Sequence, residues 1–134
     1  QLAELVRERR GHGDHVGAGD LESVVGNAYL SLFALRSQAR DTIAELTAGN
    51  ELGPQISIDK VLLSTAEQTI TESARKLLWA RLELSDPSDE TAELWRSRWL
   101  FSRITSIYGG AGEVQRDLIA ERLLGLPSGS WLPS

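Results

Sequence analysis

The longest regular pattern in the sequence is a stripe of apolar residues whose spacing alternates between four and three. It consists of Leu21, Val25, Ala28, Leu32, Leu35, Ala39, Ile43 and Leu46. This spacing places all of them on one side of an α-helix. The pattern predicts a helix that begins at Asp20 as N-cap and stops at Gly49. At 1.5 Å per residue such a helix is on the order of 40 Å long, so the fold must accommodate it.

Two more helices are predicted in the middle of the chain. Ser57 is expected to cap one that runs to about Arg81, with an equally wide apolar face. Asp86 and Pro87 are expected to open the next as an N-cap and first-turn pair, and a glycine-rich turn ends it.

The two ends of the chain give shorter segments. Helical spacing over residues 2–10 without a start signal predicts the end of a helix whose beginning is absent, and another helix is expected over 113–124. Because no segment alternates with period two over a strand length, we predict an all-α fold. We expect an up-and-down four-helix bundle over residues 1–127, with its first helix truncated, and a flexible tail over 128–134.

Composition narrows the possible functions. The 134 residues suffice for one domain with a core, and the absence of cysteine fits a cytoplasmic location. A net charge of -5 argues against nucleic-acid partners, and no apolar run approaches the roughly 20 residues of a membrane span. His12, Asp14 and His15 lie in a glycine-rich loop, which we interpret as a solvated linker, so we expect no metal site.

Three glycines, Gly109, Gly110 and Gly112, stand directly before the last predicted helix. A helix start offers unpaired N–H groups and a partial positive charge, and glycines allow a ligand to approach the backbone closely. The turn is therefore a candidate site for an anionic or electron-rich group. Taken alone, a glycine turn between helices is also common as a purely structural feature.

The stretch from Ser102 to Pro127, SRITSIYGGAGEVQRDLIAERLLGLP, resembles the C-terminal signature of acyl-CoA dehydrogenases. The matching residues are Tyr108, Gly109, Gly110, Glu113, Gln115, Arg116, Ile119, Ala120, Glu121, Arg122, Leu124, Gly125, Leu126 and Pro127. The preceding segment SIDKVLLSTAEQTITESARKLL resembles a helix of bacterial members, so the resemblance covers nearly the whole chain.

The resemblance implies a domain of a flavoprotein that dehydrogenates an acyl-CoA thioester between its α and β carbons, using FAD and passing electrons to an acceptor. This chain would supply oligomerisation helices for a homo- or hetero-tetramer and one wall of the flavin and acyl site, and would be inactive alone. Tyr108, Gly109 and Gly110 would line the substrate pocket. Contacts to FAD would come from Ala111, Gly112, Glu113 and Arg9.

Some residues depart from the family pattern. Gly109 stands where many members carry the glutamate base, so no catalytic residue is expected in this chain, and a base would come from an upstream helix or a partner subunit. Ala111 replaces a usual threonine, and Trp79 replaces a Gly-Gly loop that touches the flavin of a neighbouring subunit. Certain bacterial members that act on sterol side chains resemble this pattern, in which some flavin contacts are lost. A non-catalytic assembly subunit or interaction module of a heteromeric dehydrogenase is therefore the alternative.

Overall fold

The computed structural model describes residues 1–11, 18–84 and 86–128, apart from the side chains of residues 9–11, 18 and 19. Its helices are α1 (Leu2–Gly11), α2 (Ala18–Thr47), α3 (Ile56–Leu78), α4 (Ala80–Glu83), α5 (Glu90–Ile104) and α6 (Gly112–Leu118), followed by a π-helical turn, Ile119–Leu123. The described residues contain no strand, which confirms the all-α class. The four-helix bundle arrangement and the division into 1–127 and 128–134 stay predictions.

The loop residues His12, Asp14 and His15, considered above as metal ligands, lie outside the described residues. Within the described part of the chain, no helix has the length and apolar character needed to cross a membrane.

All three predicted N-caps are wrong. Helix α2 begins at Ala18, so Asp20 lies in its first turn, where a carboxylate complements the helix dipole. Helix α3 begins at Ile56, which leaves Ser57 inside it and buried.

Two aspartates lie near the start of α5, and the second of them is the N-cap. Asp89, not Asp86, caps this helix, because its Oδ1 accepts a hydrogen bond from the backbone N–H of Ala92 at 3.1 Å. The Asp86 side chain instead accepts from the N–H of Ser88 at 2.8 Å and stabilises the preceding turn.

Glycines end α2 and the last helical segment where the sequence predicted, whereas α3 ends at Leu78 and not near Arg81. Gly49 has a φ of +80°, and the crossed hydrogen bonds from Asn50 N to Glu45 O and from Gly49 N to Leu46 O close α2. This is the Schellman arrangement, which requires a left-handed residue. Gly125, with a φ of +63°, ends the last helical segment. The predicted helix over 113–124 is therefore confirmed in extent but changes to a π-helical turn at Ile119.

Helix α3 lies at the centre of the fold, where it contacts α1, α2, α5 and α6. Its buried positions are mostly small, with Ala66 and Ala74 at 1 % and 0 % exposure. Small side chains allow neighbouring helix backbones to approach closely, as Ala92 does from α5 at 0 % exposure. Hydroxyl groups join the two helices, since Thr71 Oγ1 and Ser102 Oγ are hydrogen-bonded at 3.0 Å.

Larger apolar side chains form the core at the C-terminal end of α3. This cluster consists of Leu5, Leu21, Ala74, Leu77, Leu78, Leu82 and Trp95, with Leu2, Val6, Val24 and Ile70 packed against it. It joins α1 and the start of α2 to α3, α4 and α5.

The apolar stripe of α2 is buried only in part. Leu21 and Ala28 are buried, whereas Leu32, Ile43 and Leu46 are 40 %, 61 % and 53 % exposed. Three more large side chains of this helix, Tyr29, Leu30 and Phe33, are also exposed. Contiguous exposed apolar surface of this kind is typical of a surface that another protein covers.

Glu72 forms a polar link between α3 and α5. Its Oε1 accepts hydrogen bonds from Arg75 Nη2 at 2.7 Å and Nε at 2.9 Å, and its Oε2 accepts from Trp99 Nε1 at 3.0 Å. The bond from Arg75, ahead of that from Trp99, lowers the pKa of Glu72 to about 2. The charged form of this carboxyl is therefore favoured by the folded state.

We predict that Glu72→Gln lowers the free energy of unfolding at neutral pH and that this difference shrinks in acid. A carboxyl whose pKa is depressed by folding stabilises the protein above its ordinary value of 4.5, and that contribution is lost as pH falls towards 2. Urea unfolding at several pH values between 7 and 2 measures the effect. Glu93→Gln, at an exposed carboxylate paired with Arg96, is the control and should show little change. A Glu72→Gln deficit that is independent of pH would contradict the prediction.

Candidate functional site

Helices α5 and α6 are joined by the segment 105–111, here called the glycine turn. Gly109 and Gly110 have φ values of +69° and +103°, a conformation that residues with a Cβ rarely adopt. The N–H of Gly112 donates to the carbonyl of Ser106 at 2.9 Å, which closes the loop. The two glycines are therefore required by the path of the backbone.

A lysine from α3 anchors this turn. Lys60 Nζ donates a hydrogen bond to the carbonyl of Thr105 at 2.8 Å, and Thr105 is fully buried. The same Nζ lies 4.2 Å from the ring centroid of Tyr108, within the range of a cation–π interaction. The ring of Phe101, which belongs to α5, lies with its centroid 6.5 Å from that of Tyr108. Tyr108 remains about half exposed.

The two glycines differ in their surroundings. A Cβ built on Gly109 meets only Lys60, with Nζ at 3.7 Å and Cε at 3.8 Å. A Cβ built on Gly110 falls 2.2 Å from Gln115 Nε2, which also donates to the carbonyl of Gly109 at 3.4 Å. Gly109 thus presents accessible bare backbone beside an ammonium group, whereas Gly110 is enclosed by the turn itself.

Helix α6 starts without a side-chain cap. Ala111 occupies the N-cap position, and its methyl group has no acceptor for the first N–H groups. Glu113 lies in the first turn and is exposed, where its charge complements the positive end of the helix dipole.

The predicted site residues fall into two separate places. Tyr108, Gly109, Gly110, Ala111, Gly112 and Glu113 form one continuous surface at the glycine turn. Arg9 belongs to α1, and its side chain lies outside the described residues. Leu5 of α1 packs with Leu77, which lies about 25 Å along α3 from Lys60. Arg9 and the glycine turn therefore lie towards opposite ends of α3.

Sequence reasoning missed Lys60. Its two contacts are with residues 45 and 48 positions further along the chain, and nothing in the spacing of α3 marks it.

Trp79 carries an unusual backbone at the end of α3. Its φ is +33°, the one positive value outside glycine among the described residues. For a bulky residue this conformation is strained and needs support from its surroundings. The N–H of Trp79 donates to the carbonyl of Arg75 at 2.8 Å, and its side chain is 63 % exposed.

We predict that Gly110→Ala lowers the free energy of unfolding by at least about 1 kcal/mol, because Ala disfavours a positive φ and displaces Gln115. The matched control is Gly26→Ala in the middle of α2, where a Cβ meets nothing within 4 Å. This change should raise the free energy of unfolding by up to about 1 kcal/mol, since Ala is the better helix former. Denaturant unfolding compares the two variants, and equal effects of the two would refute the prediction.

A family model and individual known proteins both match this chain, and they point to the same family. The model of the family described as "Acyl-CoA dehydrogenase, C-terminal domain" matches residues 1–124. The protein named acyl-CoA dehydrogenase IpdE1 of Mycobacterium tuberculosis is 33% identical over 126 residues, which is 94% of this chain and 31% of that protein. Its namesake in Mycolicibacterium smegmatis is 31% identical over 136 residues, covering 94% of this chain and 33% of that protein.

The chain thus spans about a third of the length of the curated relatives that it matches. No solved structure matches it.

Proposed function

Because the chain belongs to the acyl-CoA dehydrogenase family, whose C-terminal domain it matches over residues 1–124, we propose that it serves as this domain in an FAD-dependent dehydrogenase. The reaction removes a proton from the α carbon and a hydride from the β carbon of an acyl-CoA thioester, leaving a double bond between them. FAD, when bound, supplies the hydride acceptor, and an electron-transfer protein reoxidises it.

The observation that carries this proposal is the bare backbone of the glycine turn. The face of Gly109 meets only Lys60, so a thioester or a planar ring can approach the main chain there. Tyr108, Gly109 and Gly110 are the residues proposed to line the acyl site. Ala111, Gly112 and Glu113 would contact the flavin. Arg9, towards the opposite end of α3, would contact the phosphates of a different FAD molecule.

The described residues hold no carboxylate suited to proton abstraction at the turn. Gly109 has no side chain, and Glu113 is exposed at the start of α6, where its charge complements the helix dipole. General-base catalysis requires an acceptor within hydrogen-bond reach of the proton. We therefore assign the base to the segment that precedes Gln1 in the full-length protein or to a partner subunit.

The exposed apolar side chains of α2 support oligomerisation. Tyr29, Leu30 and Phe33 are each about 60 % exposed, and Ile43 continues this surface along the helix. A tetramer, homomeric or heteromeric, would cover this surface. The assembled enzyme would be cytoplasmic. Its substrate would be an acyl-CoA whose acyl group derives from a lipid side chain, including that of a sterol.

One observation favours the alternative of a non-catalytic assembly subunit. The indole of Trp79 is exposed where the family resemblance implies a Gly-Gly loop against the flavin of a neighbouring subunit, and so large a side chain prevents close approach to the backbone. Ala111 also offers no hydroxyl to a flavin or to the start of α6. In that case the chain would contribute its helices to assembly and the flavin would be held by another subunit.

The direct test uses the full-length protein, purified with any partner subunit that it requires. We expect an oxidised-flavin absorption spectrum that is bleached anaerobically on addition of a saturated acyl-CoA, with formation of the α,β-unsaturated thioester. Flavin held only by the partner subunit would support the assembly role instead. Absence of flavin from every preparation of the complex would refute both forms of the proposal, whereas the domain expressed alone should bind no FAD and oxidise no acyl-CoA.

We predict that Glu113→Gln in the same complex leaves the exchange rate of the α proton of bound acyl-CoA within roughly tenfold of wild type. Loss of a general base costs about 10² or more. Exchange into deuterated solvent, followed by mass spectrometry, measures the rate. A thousandfold loss with the flavin still bound would show that Glu113 is the base.

A further inference from the structure

We propose that Lys60 is the positioning residue of the acyl site, holding the glycine turn at a fixed place relative to α3. This inference rests on the proposed function, since it gives the turn a role in the reaction. Its ammonium group contacts the carbonyl of Thr105 and the ring of Tyr108, and it lies beside Gly109, where an added Cβ would come within 3.7 Å of Nζ.

The bond to Thr105 has a clear physical basis. Thr105 is the C-cap residue of α5, and the last carbonyls of a helix have no partner within it. Thr105 is 0 % exposed, and its carbonyl oxygen lies 2.8 Å from Lys60 Nζ. Water therefore cannot replace the Lys60 ammonium there without opening the structure. A cation at this place also complements the negative end of the helix dipole.

The position of Lys60 is itself fixed by its own helix. The carbonyl of Lys60 accepts a hydrogen bond from Ser64 Oγ at 3.2 Å. The preceding residue, Asp59, accepts a hydrogen bond from Thr42 Oγ1 of α2 at 2.7 Å, so the first turns of α3 are tied to α2. The turn is therefore located by the packing of α2 on α3 and not by α5 alone.

The backbone at position 109 disfavours any side chain. Its φ is +69°, and a Cβ there would already touch Lys60, with Nζ at 3.7 Å. This turn is therefore suited to presenting its backbone to the thioester. A misplacement of reacting groups by about 1 Å can cost on the order of 10²-fold in rate, which makes the anchoring consequential.

The experiment compares three variants of the full-length protein with its partner subunit. Lys60→Met removes the charge and the hydrogen bond, Lys60→Arg retains a cation, and Lys76→Met alters an exposed lysine about 24 Å away on α3. We expect Lys60→Met to speed hydrogen–deuterium exchange of the peptide covering residues 105–112, with the exchange of α2 unchanged. We also expect kcat to fall tenfold or more while the flavin content and the KM for acyl-CoA stay within threefold.

Lys60→Arg should partly restore both the slow exchange of residues 105–112 and kcat. Lys76→Met should match wild type in both measurements. Unchanged exchange in Lys60→Met would overturn the anchoring, and faster exchange with unchanged kcat would overturn its role in the reaction. If Lys60→Met does not fold, Lys60→Ala, which also removes the charge and the donor, takes its place under the same criteria. Wild-type protein without dehydrogenase activity would refute the proposed function, and the exchange measurement would still decide whether Lys60 anchors the turn.

Discussion

The close packing of α3 against α1, α2, α5 and α6 is the constraint on which the structure depends. A helix surrounded in this way needs small side chains at its contacts, and Ala66 and Ala74 meet that need. The hydroxyl groups buried beside them have partners, since Ser73 Oγ donates to the carbonyl of Thr69 within α3 and Thr71 Oγ1 is hydrogen-bonded to Ser102 Oγ of α5. Because these bonds satisfy the polar groups, the hydroxyls can be buried where the helices meet.

The long polar side chains of α3 then connect this centre to the periphery. Glu72 reaches Trp99 in the middle of α5, while Lys60 reaches the end of the same helix and the glycine turn beyond it. Gln68 lies between them and donates to the carbonyl of Ser102 at 3.1 Å. The three contacts follow α5 from its middle to its C-terminal end. The candidate site is therefore positioned through side chains that start from the most enclosed helix of the domain.

Periodicity and glycine placement predicted the long helices and the glycine-stopped end of α2, because both are local properties of the chain. The end of α3 at Leu78, short of the predicted Arg81, was not predicted, since no glycine marks it. The N-caps were not predictable in the same way. Asp86 and Asp89 are both plausible caps, and only the three-dimensional path of residues 86–89 shows which one meets the N–H of Ala92. The stripe of α2 indicated which side is apolar but not that Ile43 stays exposed. The turn was found from its glycines and family signature, whereas Lys60 acts across 45 residues of sequence.

Trp79 separates the shape of the backbone from the chemistry of the side chain. The hydrogen bonds from Trp79 N to Arg75 O at 2.8 Å and from Leu82 N to Trp79 O at 2.9 Å hold the chain in a conformation that glycine prefers. The surrounding helices maintain this bend under a side chain that opposes it. Both hydrogen bonds are made by main-chain atoms, so they do not depend on which side chain stands at position 79. The exposed indole thus covers main chain that a smaller residue would leave open to solvent.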